Sequence, residues 1–197
     1  MVKAFFDTEF TGLHKDTTLI SIGVMYETGH MFYAELTDYD KSQVDQWLQE
    51  NVINSLTLGD MEENTYKFGG DMKVKYVRGT KDFVAKELNF WHEYLFHDEQ
   101  LEMWSDCLSY DWVLYNDLYG HAFSIPENIY YIPFDICTMF QLKGVDPDIS
   151  REAFADGFIS TEGTGIDPNA VNKHNALWDA IVIKACYDKL NVMEVAE

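Results

Sequence analysis

Positive charge is what this chain has least of. Its 197 residues include 14 lysines and arginines against 34 aspartates and glutamates, a formal net charge of −20. A field of that sign repels a polyanion, which argues against a protein that holds long nucleic acid along its backbone. It permits a site that takes a few nucleotides at a chain end, with metal ions supplying local positive charge. No stretch of about 18 apolar residues occurs, so no membrane-crossing helix is expected. The start Met1-Val2-Lys3-Ala4-Phe5-Phe6-Asp7 meets an acid too early for a secretion signal and reads as a strand opening the fold. Cysteine is scarce too. Cys107, Cys137 and Cys186 lie far apart and offer neither a Cys-x-x-Cys pair nor a zinc spacing. They read as buried, reduced thiols in a cytoplasmic protein.

What is present is core-forming material, 47% hydrophobic and 15% aromatic, without repeats, linkers or low-complexity tracts. The length suits one domain spanning residues 1–197. Strands are expected at 4–9, 19–26, 30–37, 101–107 and 129–133, with Glu27-Thr28-Gly29 turning the first hairpin. Helices are expected at 41–50 (Val44, Trp47 and Leu48 at helical spacing), 80–96 with Thr80 as N-cap, 109–119, 135–142, 148–158 and 173–190. Residues 57–79 read as an irregular connection or small hairpin, and 160–172 as a loop rich in Gly, Thr and Asn. The order predicts an α/β fold, a mixed five-stranded sheet flanked by helices.

Acids then appear where apolar residues are expected. Asp7 and Glu9 are two apart on the first strand, so both leave one face about 7 Å apart, which destabilises a strand unless a cation joins them. A frayed end with both acids in water is the alternative, and the flanking Phe5, Phe6 and Phe10 weigh against it. Asp111 shares a helix face with Leu114, Tyr115 and Leu118; it is either bound to a cation or a helix-terminal acid stabilised by the dipole. Asp106 is its rival, placed inside the preceding strand, while Asp117 faces away. Asp179 aligns with Ile183, Cys186 and Leu190, and a mid-helix acid on such a stripe has no capping role. His174 lies five residues earlier, where the loop enters the helix and the ring can swing over Asp179. The other histidines, His14, His30, His92, His97 and His121, read as surface residues.

In combination these residues resemble a known set. Phe6-Asp7-Thr8-Glu9-Phe10-Thr11-Gly12-Leu13 resembles the first motif of the DEDDh exonucleases, members of the ribonuclease H-like superfamily that include RNase T and oligoribonuclease. Ser109-Tyr110-Asp111-Trp112-Val113-Leu114 is similar to the second motif, and His174-Asn175-Ala176-Leu177-Trp178-Asp179-Ala180 to the third, His-x-Ala-x-x-Asp-Ala. The small polyadenylate-specific exoribonucleases (RNase AS) are the nearest likeness, through Leu-Ile-Ser-Ile-Gly-Val after the first motif and Glu102-Met103-Trp104 before the second. The chain departs from them at Cys107-Leu108-Ser109, where many relatives carry asparagines, and in a longer 160–172 loop.

The resemblance implies a ribonuclease H-like fold and removal of nucleoside 5′-monophosphates from the 3′ end of single-stranded RNA, in preference to DNA. It implies two divalent cations, Mg²⁺ or Mn²⁺, held by Asp7, Glu9, Asp111 and Asp179 with Asp7 as the bridge, and His174 as general base. Thr8, Phe10, Leu13 and Trp112 become the expected substrate contacts. The three apolar ones stack on terminal bases, with a core role as the alternative for each. A homodimer is compatible with the same likeness. Rival readings are a 3′-5′ exodeoxyribonuclease, a non-catalytic RNA- or protein-binding module on this fold, an endonuclease of the wider superfamily, and an acidic Ca²⁺-binding protein, for which no EF-hand spacing exists.

Overall fold

Alternation along the first strand decides what lies on each side of the sheet. In the computed structural model, which describes residues 1–167 and 173–193, strand β1 (Val2–Phe10) sends Ala4 and Phe6 to one apolar cluster and Phe5 to another on the opposite face. β2 (Leu19–Tyr26) and β3 (Met31–Leu36) are buried along their whole length, as expected of strands covered on both faces. β1 pairs antiparallel with β2, and β2 with β3. On its other side β1 runs parallel to β6 (Leu101–Ser105), which is followed by the two-residue β7 (Phe134–Asp135). Among the described residues no helix is long and apolar enough to cross a membrane.

Among the described residues the sheet has seven strands, where five were expected. The two additional strands, β4 (Thr65–Gly69) and β5 (Val74–Gly79), form a hairpin, one of the two forms expected of residues 57–79; β5 runs parallel to β3, and the strand order is β4-β5-β3-β2-β1-β6-β7. Lys75 hid this strand, because a lysine is expected on the solvated side. Here its side chain is buried, its ammonium 2.6 Å from Glu87 and lying over the rings of Tyr66 and Phe90 at 4.9 and 5.0 Å. The strand expected at 129–133 shrinks to a single bridge, Ile129 with Leu101, ahead of β7.

Helices α2 (Lys81–Phe96) and α3 (Leu108–Leu118) cover one face through Val84, Leu88, Trp91, Leu114, Tyr115 and Leu118. Thr80 stands at the N-cap of α2 without making the side-chain bond; the Asp38 carboxylate accepts from the Lys81 N–H instead, at 3.1 Å. The helix expected at 41–50 divides into a short 3₁₀ turn, Lys41–Gln43, and α1 (Gln46–Asn51). Asp45 caps α1 by accepting from the Leu48 N–H at 2.8 Å. That cap rotates Trp47 outward, leaving it 53% exposed. His92 is a further correction. It is buried on α2, and burial lowers its pKa to about 3. Of the cysteines only Cys186 is buried; Cys137 is half-buried and Cys107 exposed, all three free.

The opposite face is covered by α4 (Ile136–Leu142), α5 (Arg151–Ala155) and the long α6 (Ala176–Val192). Residues 168–172 of the expected 160–172 loop lie outside the described residues. Asn175 caps α6 by accepting from the Trp178 N–H, so the helix begins later than expected. Its first turn rests on β2 at Gly23, where a Cβ would come within 2.2 Å of the Ala176 carbonyl oxygen and 2.4 Å of Leu177 Cα. Gly23 is also the register partner of Asp7. The missing side chain therefore allows α6 to lie beside Asp7. Gly23→Ala should destabilise the protein by about 1–3 kcal/mol through overpacking. A urea midpoint equal to wild type would show that α6 does not press on β2.

Candidate active site

Three elements, β1, α3 and α6, carry the four expected acids. Asp7 is buried in the middle of β1, and Glu9 follows two residues on, next to the register shift at Phe10 that ends regular pairing with β2. Asp111 sits fully buried in the first turn of α3, just after β6. Hydroxyls hold it from two directions: Thr8 donates to one carboxylate oxygen and Ser105 to the other. Asp179 lies in the first turn of α6 rather than mid-helix, and it accepts from the His174 N–H at 3.0 Å. The acid thus has the helix-terminal role that sequence periodicity denied it.

Carboxylate oxygens of Asp7, Glu9 and Asp179 lie within 4.8 Å of one another, and so do those of Asp7, Asp106 and Asp111. Asp7 belongs to both triads. All four expected acids therefore converge, and Asp106, read earlier only as a rival to Asp111, joins them from the residue just past β6. Among the described residues, Asp7, Asp111 and Asp179 have no lysine or arginine ion-pair partner, Asp106 has Arg151 at 3.4 Å, and Glu9 has only the His174 ring. Oxygen donors of this density suit hard divalent cations, and the uncompensated charge calls for them. The residues fit a metal centre.

The electrostatics agree. Burial, followed by repulsion from Asp111, Asp179 and Glu9, pushes the Asp7 pKa well above the usual carboxylate range. Burial and the charges of Asp179 and Asp111 raise Glu9 to about 8. Burial raises Asp111 to about 7 against the opposing hydrogen bonds from Ser105 and Thr8, and raises Asp179 to about 7 against the His174 N–H.

His174 stands where the chain enters α6, at φ 67, a left-handed conformation uncommon for a side-chain-bearing residue. There its backbone faces Asp179 and its Nδ1 lies 3.9 Å from Glu9 Oε1. Burial, then the nearby Lys173 charge, lowers its pKa, so the ring is neutral at pH 7 and able to accept a proton.

Beside the acids runs a cleft of about 370 Å³ whose lining includes Glu9, Phe10, Leu13, Trp47, Leu48 and His174. Leu13 is 74% exposed, and Phe10 stacks on Tyr110 at 5.3 Å. Trp47, which the sequence reading placed among the apolar positions of a helix, meets the His174 ring edge-on at 5.3 Å. A tryptophan two positions after a capping aspartate was the signal available for it. Of the other two expected substrate contacts, Thr8 lines the adjoining cavity with Asp7, Glu9 and His174, its hydroxyl bonded to Asp111. Trp112 stacks on Tyr115 at 5.4 Å and packs against Phe6, the core role given as its alternative.

A mixed sheet flanked by helices, with buried acids meeting at the end of its central strand, is the architecture of a ribonuclease H-like nuclease. The profile of the 3′-5′ exoribonuclease Rv2179c-like domain matches residues 2–190, and the chain belongs to that family. It is accordingly an exonuclease. The chain is similar to the 3′-5′ exoribonuclease Rv2179c of Mycobacterium tuberculosis strain H37Rv, with 25% identity over 130 residues, 65% of this chain and 67% of the relative. It is equally similar to the 3′-5′ exoribonuclease MT2234.1 of the CDC 1551 strain of that organism.

The raised carboxyl pKa values make metal-free stability depend on pH. Unfolded carboxyls titrate near 4, so the folded state holds extra protons. Its advantage is complete below about pH 4 and is lost as pH rises through about 7–8. In EDTA the Tm should fall between about pH 5 and pH 8, and less steeply in Glu9→Gln. Mn²⁺ at the upper pH should restore it, because it binds the folded state. A Tm in EDTA that stays level across this range would contradict the assignment.

Proposed function

We propose that the chain is a 3′-5′ exoribonuclease of the DEDDh type that releases nucleoside 5′-monophosphates from single-stranded RNA. The observation that carries this reading is Asp7, whose carboxylate belongs to two separate acid triads. Asp7 would bridge two Mg²⁺ or Mn²⁺ ions, with Glu9 and Asp179 on one side and Asp111 on the other. Two such ions, about 4 Å apart, supply an activated water, a stabilised leaving oxyanion and neutralised phosphate charge.

The protein's own groups do the rest. His174 accepts the proton of the attacking water, with Glu9 beside its Nδ1 to stabilise the imidazolium that results. The Asp179 carboxylate orients this base by accepting its backbone N–H. Phe10, Leu13 and Trp47 offer the terminal bases an apolar cleft next to the acids, and stacking tolerates any base. The printed names of the family and of the mycobacterial relatives support RNA as the substrate class. The RNase AS grouping and a single exonuclease domain over residues 1–197 belong to the same reading, as do a homodimer and a cytoplasmic setting.

The test uses 5′-labelled RNA and DNA oligomers with free or blocked 3′ ends, and a circular single strand. With Mg²⁺ or Mn²⁺, RNA with a free 3′ end should shorten stepwise, while EDTA, a blocked end or a closed circle prevents hydrolysis. Cleavage of the circle would overturn the exonuclease reading, and faster loss of DNA would move the substrate to DNA. Asp7→Asn and Asp179→Asn should abolish hydrolysis with the fold intact, and His174→Ala should lose about 100-fold in rate. Trp47→Ala should weaken substrate binding by about 1–3 kcal/mol, read as a rise in KM.

A further inference from the structure

Among the described residues, Asp106 is the one member of the acid cluster that has a lysine or arginine as its ion-pair partner. Its neighbour Arg151 is the first residue of α5, and that guanidinium is anchored from several sides. Arg151 Nη1 donates to the Pro147 and Ile149 carbonyls at 2.7 and 2.8 Å, and Nη2 donates to Cys137 Sγ at 3.0 Å. The guanidinium lies 4.8 Å over the Phe140 ring. Only Nε remains. It is buried, without a hydrogen-bonding partner of good geometry, and faces Asp106 Oδ2 at 3.4 Å. So tethered, an arginine cannot follow substrate. Its charge is a fixed part of the site.

Asp106 meanwhile offers an oxygen within 4.8 Å of those of Asp7 and Asp111. We infer that Asp106 is a fifth carboxylate of the metal centre, placed on the Asp111 side of Asp7, and that Arg151 is the positioning residue that holds it there. This inference rests on the two-cation reading given above. Charge explains why the pair exists. Four acids balance two dications, so a fifth would leave the site one negative charge in excess, and Arg151 removes that excess. The arrangement also evens the two sides of Asp7: Glu9 and Asp179 on one, Asp106 and Asp111 on the other. In a chain with only 14 basic residues, a rigidly anchored arginine at this point is a specific provision.

The experiment measures Mn²⁺ binding by calorimetry and Tm in EDTA and in Mn²⁺. It compares wild type, Asp106→Asn, Arg151→Met, the double variant and Asp7→Asn as control. Asp106→Asn should weaken Mn²⁺ binding by about 10- to 100-fold, the range found when a supporting group is lost from a metal site. Arg151→Met should lower the Tm in EDTA and enlarge the rise that Mn²⁺ produces. Adding Asp106→Asn to Arg151→Met should recover the part of that loss due to the unpaired Asp106 and bring the Mn²⁺-induced rise back to that of Asp106→Asn alone, whereas a merely structural arginine leaves the Mn²⁺ response of Arg151→Met at the wild-type value. Asp106→Ser replaces Asp106→Asn if the amide disturbs the fold. Wild-type Mn²⁺ affinity in the Asp106 variants, or an uncorrected double variant, overturns the inference while leaving the two-cation reading in place. Wild-type Mn²⁺ binding by Asp7→Asn would instead remove the two-cation reading, and this inference with it.

Discussion

Like charges held together away from water are the constraint around which this protein is built. Carboxylates packed within a few ångströms repel one another, and burial strengthens the repulsion. The scaffold answers with donors aimed at individual oxygens: two hydroxyls on Asp111 and a backbone N–H on Asp179. It also answers with rigidity, since Asp7 sits in a central strand paired on both sides and Asp111 and Asp179 sit in helix first turns. Helix first turns favour negative charge through the exposed peptide N–H groups, which offsets part of the cost. What remains uncompensated is the binding energy reserved for cations.

The excess of acid over base becomes intelligible in that light. The protein's cations are few against its acids, and two of them face inward. Lys75 is buried against Glu87 beneath aromatic rings, and Arg151 is spent on a carboxylate and on backbone carbonyls. Under the proposed function, metal bound at the acid cluster would supply the attraction for a phosphodiester. A protein so constituted has little hold on the long flanks of a polynucleotide, and its grip is confined to the few residues at the reacting end.

Much of this was legible in the sequence, for identifiable reasons. The acids Asp7, Glu9, Asp111 and Asp179 were visible because each interrupts an apolar pattern, and the structure brings all four together. The central strands were legible because burial on both faces leaves continuous apolar runs. The β4–β5 hairpin was one of two forms expected of its segment, but its joining of the main sheet was not legible, because Lys75 carries a charge where periodicity reads solvent. His92 was misread for the complementary reason: a polar side chain on a long helix reads as exposed, and here it is enclosed. Asp106 was placed inside a strand that ends one residue earlier, and that single residue of slack allows its side chain to reach the cluster. Asp179 joins the cluster, but not for the reason read from the sequence, since the Asn175 cap that puts it in a first turn is set by hydrogen bonds, which periodicity does not register.

The centre draws its members from opposite ends of the described chain: β1 begins at Val2 and α6 runs to Val192. During synthesis the first acids emerge long before the last. Until α6 has left the ribosome and settled over Gly23, the growing polypeptide carries no complete centre. Order along the chain thereby delays assembly of the acid cluster until α6 is in place.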